Sequence, residues 1–118
     1  MTLRLKRAYE PPSTADGKRY LVDRLWPRGV GRAALVLDGW LKEVAPSDAL
    51  RRWYGHEVSR FPEFRRRYRI ELEAHRPLLE NLGREASQGA VTLVFATRDE
   101  EHSNAAVLRE LAEEVGRV

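Results

Sequence analysis

At 118 residues, 42% hydrophobic and 33% charged, the chain holds enough apolar matter for one packed domain and too little length for two self-sufficient cores. No run approaches the roughly 20 apolar residues of a membrane span, and the leading MTLRLKRAYEPP carries charges where a secretion signal needs an apolar stretch, so a cytoplasmic protein without membrane contact is expected. With no cysteine it can form no disulfide, thiolate nucleophile or cysteine-held metal, and its net charge of +3 is unevenly spread: residues 1–36 hold eight Lys or Arg against three acids, residues 70–118 five against ten.

Residues 3–8 alternate apolar and polar, as an edge or half-buried strand does. Residues 9–19 concentrate Pro, Ser, Asp and Gly and read as a loop, with Asp16-Gly17 a turn signal. YLVDRLW, residues 20–26, is a short β-rich run stopped by Pro27 and followed by Arg28-Gly29-Val30-Gly31, so it predicts a buried strand emptying into a glycine-bearing loop. Asp23 and Arg24 sit awkwardly in such a strand. Residues 37–44 suit a short helix closed by Ala45-Pro46. Ser47 can then cap a second helix, with Asp48 in its first turn, Leu50, Trp53 and Tyr54 on one face and Gly55 at its end.

Pro62 suits a first helical position, and Phe64, Tyr68 and Leu72 recur every four residues, predicting a helix over 61–74. Pro77 starts or kinks a further helix carrying Leu78, Leu79, Leu82 and Ala86 and ending at Gly89. VTLVFA, residues 91–96, is the plainest strand in the chain. A polar run over 97–104 separates it from a terminal helix marked by Leu108, Leu111 and Val115. The expected architecture is a single compact α/β domain over 1–118, a small, mainly parallel sheet with flanking helices. Segments 20–26 and 91–96 should be its adjacent central strands, with helix 61–74 and the terminal helix supplying two covering layers.

Three constellations carry chemistry. The first is Asp23-Arg24-Leu25-Trp26-Pro27-Arg28-Gly29, at the C-terminal end of an expected strand, where ligands of open α/β sheets settle. Arg24 and Arg28 offer forked donors for carboxylate or phosphate, Trp26 a stacking face, and Gly29 room for close backbone approach. The plainer alternative is an Asp23–Arg ion pair pinning the loop, with Trp26 covering the core. The second is the run 97–104, where strand–loop–helix geometry turns backbone N–H groups and the positive end of a helix dipole to the same edge. Thr97, Arg98 and Asn104 are its candidates; Asp99, Glu100 and Glu101 can instead satisfy the helix end, and His102 reads equally as an ordinary exposed histidine. The third is Arg65-Arg66-Arg67 with Arg69. Alone it suggests a nucleic-acid face, but Glu63–Arg67, Arg67–Glu71 and Arg69–Glu73 stand at i,i+4, so solvated helix surface is expected.

The arginine count is weak testimony by itself. Eighteen of the 21 basic residues are arginine and side-chain amides are scarce, which fits a thermophile and a GC-rich genome equally. His56, His75 and His102 lack metal-ligand spacing, so no metal is expected. The absence of GxSxG, GxGxxG and a phosphate-loop motif leaves cofactors unidentified and argues against a hydrolase nucleophile.

These stretches, taken together, resemble the small YeaO-like family, a domain of unknown function. The matching residues are KR.Y from Lys6 to Tyr9, S.ADGKR.LVDRLWPRG from Ser13 to Gly29, LR.WYGH from Leu50 to His56, and VTLVFATRDEEHSNAAVL from Val91 to Leu108. DRLWPRG is the distinctive part. The resemblance implies a single compact α/β domain and brings no activity, substrate or catalytic assignment.

Two functions of different class fit the residues. One is a small-molecule site, open as to catalysis, for an anion such as a nucleotide or phosphorylated metabolite. Arg24, Arg28 and Arg98 would hold the anion and Trp26 would stack on a ring. Gly29, Thr97 and Asn104 would complete the binding set, and Asp23 or His56 would transfer protons. The rival is a nucleic-acid or accessory interaction module using 1–36 and 51–69 as a basic face, with Trp26, Trp53 and Tyr54 for stacking. Either fits a monomer or a homodimer. If the two main strands run parallel, loops 26–29 and 97–104 leave the sheet on one edge, and Arg24, Arg28, Thr97 and Arg98 can converge.

Overall fold

A computed structural model describes residues 3–116. The elements are β1 (Leu3–Arg7), β2 (Lys18–Leu21), α1 (Arg32–Leu35), β3 (Gly39–Trp40), α2 (Asp48–Tyr54), α3 (Phe61–Leu72), α4 (Arg76–Gln88), β4 (Val91–Phe95) and α5 (Asn104–Gly116). Short 3-10 turns lie between several of them. The sheet order is β1-β4-β2-β3, with every pairing parallel. Val91 stands opposite both Leu3 and Lys18, so β4 is central and β1 an edge. This is the expected α/β architecture, with β2 and β4 adjacent.

Parallel strands need crossovers, and the strand order fixes their sides. From β1 to β2 and from β2 to β3 the chain moves one way across the sheet; from β3 to β4 it moves back. Right-handed crossovers therefore put residues 8–17 and 22–38 on one face and α2–α4 on the other. The burial pattern agrees. Leu3, Val91, Leu93 and Phe95 belong to a large core with Phe64, Tyr68, Leu79 and Leu108. The opposite face offers only Leu21 and Val94 to a small cluster with Ala8 and Leu35, lidded by Trp26, Val30, Leu37 and Trp40. The expectation that α3 and α5 would cover opposite faces is thus corrected. Helices α2–α5 share one core, and the other side is closed by residues 8–17 and 22–38, whose α-helix is the single turn α1.

Two segments differ from their sequence pattern. The strand expected over 20–26 runs from Lys18 to Leu21; Val22 still donates to the Val94 carbonyl at 3.0 Å, and then the chain turns out of the sheet. Asp23 and Arg24 are therefore loop residues, which removes their awkwardness. The helix expected over 37–44 is instead the short edge strand β3 and one 3-10 turn, Lys42–Val44. Pairing with β2 decides this: the Asp38 amide donates to the Arg19 carbonyl and the Leu41 amide to the Leu21 carbonyl, both at 2.8 Å. A glycine at position 39 also weakens any helix there.

The remaining elements follow their signals. The Ser47 hydroxyl accepts the Leu50 amide as the α2 cap, and Gly55 closes that helix. Phe64, Tyr68 and Leu72 are the buried stripe of α3, Leu79, Leu82 and Ala86 that of α4, and β4 is buried at every position. Among the described residues, no helix is long and apolar enough to cross a membrane.

Candidate functional site

Because all four strands are parallel, their C-terminal ends share one edge. There the exits of β1, β2 and β4 meet the last turn of α2 around a cleft of about 590 Å³. Asp23, Arg24, Trp26, Arg28, His56, Thr97 and Asn104 all line it, so loops 26–29 and 97–104 do converge. Gly29 and Arg98 do not line it. Gly29, at φ +80°, has open space where a side chain would be and serves the loop's turn. Arg98 is exposed one residue beyond Thr97 and outside the cleft wall.

Asp23 ties the sheet edge together. One carboxylate oxygen accepts the Ala96 amide at 2.9 Å and the other the Asn104 Nδ2 at 3.1 Å. Asn104 Nδ2 also donates to the Val22 carbonyl at 3.1 Å, and Trp40 Nε1 donates to the Asp23 carbonyl at 2.7 Å. Burial pushes the Asp23 carboxyl above its ordinary range, against the hydrogen bonds from Asn104 and Ala96 and the nearby His56. No arginine forms an ion pair with it among the described residues. The Asp23–Arg pin considered from the sequence is therefore replaced by a carboxylate held by neutral donors.

The neighbouring groups have separate attachments. Arg24 donates through Nε to the Pro46 carbonyl at 3.2 Å and lies 3.8 Å from Asp48, tying the loop to the start of α2. Trp26 donates Nε1 to the Val30 carbonyl at 2.7 Å and packs edge-on to Trp40 at 5.4 Å between ring centres. It lids the smaller core as well as touching the cleft. Tyr9 donates its hydroxyl to the Arg28 carbonyl at 3.0 Å and so fixes the Pro27-Arg28 turn, while the Arg28 guanidinium reaches solvent. His56 follows Gly55 with φ +60°, a left-handed conformation uncommon outside glycine, and its Nδ1 stands 3.5 Å from Thr97 Oγ1.

Sequence reasoning missed part of the wall. Arg51 and Arg52, in the last turn of α2, line the cleft, with Tyr54 and His102. The motif LR.WYGH contained the signal, but its placement at the sheet edge depends on tertiary packing. Tyr54 stacks on Phe64 at 4.2 Å and donates its hydroxyl to the His102 carbonyl at 2.7 Å. His102 is half-buried, with Nδ1 2.7 Å from Asp99 Oδ2, so the ordinary-exposed reading is corrected. Ser103 occupies the start of α5: its Oγ accepts the Ala106 amide at 3.1 Å. Among the described residues, no group of three His, Cys, Asp or Glu side chains could hold a metal.

The comparisons with known proteins cover the whole of this geometry. A family model described as the inactive DUF488-N3 subclade, DUF488-N3i, matches residues 2–117. The chain belongs to this family. It is similar to the uncharacterised protein Rv3073c of Mycobacterium tuberculosis, 44% identical over 109 residues, which covers 92% of each chain. It is also similar to the uncharacterised protein YeaO of Escherichia coli, 39% identical over 108 residues, with 92% of this chain and 94% of that one covered. The YeaO-like resemblance is thereby borne out. No solved structure matches the chain.

In this DUF488-N3i member the arginine run of α3 lies apart from the cleft and is internally paired. Arg66 and Arg67 share Glu63, Arg65 pairs with Glu110, and Arg69 lies 2.6 Å from Glu114. The pairs expected with Glu71 and Glu73 do not form. Glu71 instead accepts the Ser47 amide at 2.8 Å and its hydroxyl at 2.6 Å, buttressing the α2 cap, and α5 supplies the acids that Arg65 and Arg69 use.

Proposed function

We propose that this protein binds an anionic small molecule, of the nucleotide or phosphorylated-metabolite class, in the cleft at the C-terminal edge of its sheet. The observation that carries the reading is the charge of the lining: Arg24, Arg28, Arg51 and Arg52, with His56 and His102, against a single carboxylate, Asp23. Arg28 and Arg52 make no ion pair among the described residues, so their donors are available to a ligand. Guanidinium forks match carboxylate and phosphate oxygens. The volume of about 590 Å³ lies within the roughly 300–1,000 Å³ of small-molecule sites.

Binding without turnover is the form of the reading that the family description as an inactive subclade favours. Asp23 and Asn104 then act as the floor, fixed by the sheet edge, and the arginines as the rim. The nucleic-acid alternative draws less support, because Lys6, Lys18, Arg19, Arg65, Arg66, Arg67 and Arg69 are all engaged in internal ion pairs.

Thermal shift with phosphate, pyrophosphate, nucleotides and sugar phosphates tests the reading on the wild type and on Arg28→Ala and Arg52→Ala. Each charge-assisted hydrogen bond contributes about 1.5–3 kcal/mol, so each variant should bind roughly 10- to 150-fold more weakly. No stabilisation by any of these anions, or stabilisation undiminished in both variants, would overturn it.

A further inference from the structure

The cleft is not uniformly cationic, and its polarity constrains what can occupy it. Its floor at Asp23 and Asn104, beside the exit of β2, presents acceptors. Each Asp23 oxygen takes one donor, while an ionised carboxylate offers about four lone-pair positions, so about two remain. Asn104 spends Nδ2 on the Val22 carbonyl and on Asp23, leaving its own Oδ1 without a partner among the described residues. Both residues are partly exposed to the cleft. An anion placed on this floor would meet a carboxylate and a carbonyl, and would be repelled.

The cations stand elsewhere on the wall. Arg24, although next to Asp23 in the chain, turns to the Pro46 carbonyl and Asp48. Arg51 and Arg52 come from the end of α2, and Arg28 from the turn held by Tyr9. The lining also includes the half-buried ring of Trp26 and the edges of the buried Tyr54 and Phe64. A ligand complementary to acceptors, a flat ring and guanidinium groups carries N–H donors, a flat apolar body and an anion. At about 590 Å³ the cleft is too roomy for an amino acid, whose ammonium and carboxylate share one carbon, and suits a larger molecule.

We propose that the ligand is a nucleotide whose base carries an exocyclic amine, with that amine on the Asp23–Asn104 floor, the base beside the aromatic wall and the phosphate among the rim arginines. This rests on the anion-binding reading and goes beyond it by fixing the orientation and the kind of base. The amine completes the hydrogen bonding of a carboxylate that no arginine or lysine pairs with among the described residues. A base bearing a carbonyl at the same position sets acceptor against acceptor there and must shift its neighbouring ring N–H onto the floor, so it binds more weakly. Stacking on aromatic side chains tolerates any base, so discrimination falls on the floor.

The test compares nucleotides that differ only in that group. Calorimetric titration of the wild-type chain with AMP against IMP, and CMP against UMP, needs no variant and so cannot be confused by misfolding. At least one amino member should bind about tenfold or more tightly than its oxo partner. Asp23→Ala, checked for folding by circular dichroism, should abolish that preference. Equal affinity within both pairs would overturn the inference and leave the anion reading standing, as would pyrophosphate binding without any nucleotide binding. If no nucleotide bound, and no phosphate, pyrophosphate or sugar phosphate either, both readings would fall together.

Discussion

The Asp23 carboxylate accepts the Ala96 amide at 2.9 Å, so a side chain leaving β2 supplies the rung that the backbone no longer makes to β4. The last backbone rung is Val22 to Val94, and the Val22 carbonyl is taken by Asn104. One residue thus ends one central strand, extends the ladder of the other and anchors the start of α5. Asp23→Asn keeps the shape but turns an amide N–H towards either the Ala96 amide or Asn104 Nδ2. We expect a loss of about 1–3 kcal/mol at neutral pH, read by urea denaturation.

The same pair has a pH signature. Burial raises the folded Asp23 carboxyl above its unfolded value, so the native state binds the proton more tightly between the two values. The contribution is fully present below the unfolded value and is lost as pH rises through the folded one. The stability gap between wild type and Asp23→Asn should therefore narrow as pH climbs out of the acid range. A gap that widens over that interval would contradict the assignment.

On the other face of the sheet, Asp16 and Arg19 form an opposite case. Both are buried, at 5% and 3% exposure, and Arg19 Nη1 donates to Asp16 Oδ2 at 2.6 Å. Arg19 also donates to the Leu35 and Val36 carbonyls, which holds the end of α1 and the left-handed Val36, at φ +49°. Burial works against the Asp16 charge, yet the Ser13 amide, Lys6 and Arg19 hold its carboxyl below the usual range. Its contribution is present above the unfolded value, near pH 4, and is lost as pH falls through the folded one. Asp16→Asn strands two cations and should cost about 3–5 kcal/mol at neutral pH. It should also flatten the acid limb of the stability curve; an unchanged limb would rule this out.

The two glycines at turns separate strain from space. Gly17, at φ +63°, would place a Cβ 2.0 Å from the Ala90 carbonyl oxygen, whereas Gly29, at φ +80°, has nothing in reach. Gly29→Ala should cost only the left-handed backbone penalty of about 1–2 kcal/mol. Gly17→Ala adds a backbone collision that must displace the start of β4, so its thermal unfolding should fall well below that of Gly29→Ala. Equal melting temperatures would contradict this placement of the turn.

How legible this was in the sequence depends on the range of the interaction that decided each element. The stripe Phe64, Tyr68, Leu72 and the run VTLVFA are local patterns, and both became what they spell. The Ser47 cap was readable for the same reason. The sequence pattern of β2 overruns its pairing because apolar Leu25 and Trp26 continue it, and only the Asp23–Ala96 bond shows where pairing stops. Strand β3 exists through its contacts with β2, which no window around Gly39 contains. The convergence of the Asp23 and Thr97 loops followed from parallel strands, an inference about topology. Arg51 and Arg52 escaped because the end of α2 reaches the cleft through the stack of Tyr54 on Phe64.

The arginines divide into two populations, and their substitution should divide likewise. Those on α3 are neutralised in place: the hydrogen bonds of Arg66 and Arg67 pull the Glu63 carboxyl down to about 2, and Arg65 and Arg69 reach across to α5. Their paired charges project a weak net field, and exposed pairs of this kind contribute little. Arg66→Ala with Arg67→Ala should therefore leave binding of any cleft anion within about threefold of wild type. Arg52, without an internal partner and on the cleft wall, should show the reverse, losing roughly tenfold or more while the fold is untouched. Both variants remove arginine charge from the basic segment 51–69, so a nonspecific electrostatic effect would weaken both. A salt titration completes the separation, since a polynucleotide face would lose affinity steeply with salt. If the double variant lost polynucleotide binding while Arg52→Ala left cleft anions unaffected, the basic helix face would become the functional surface and the cleft a structural feature of the sheet edge.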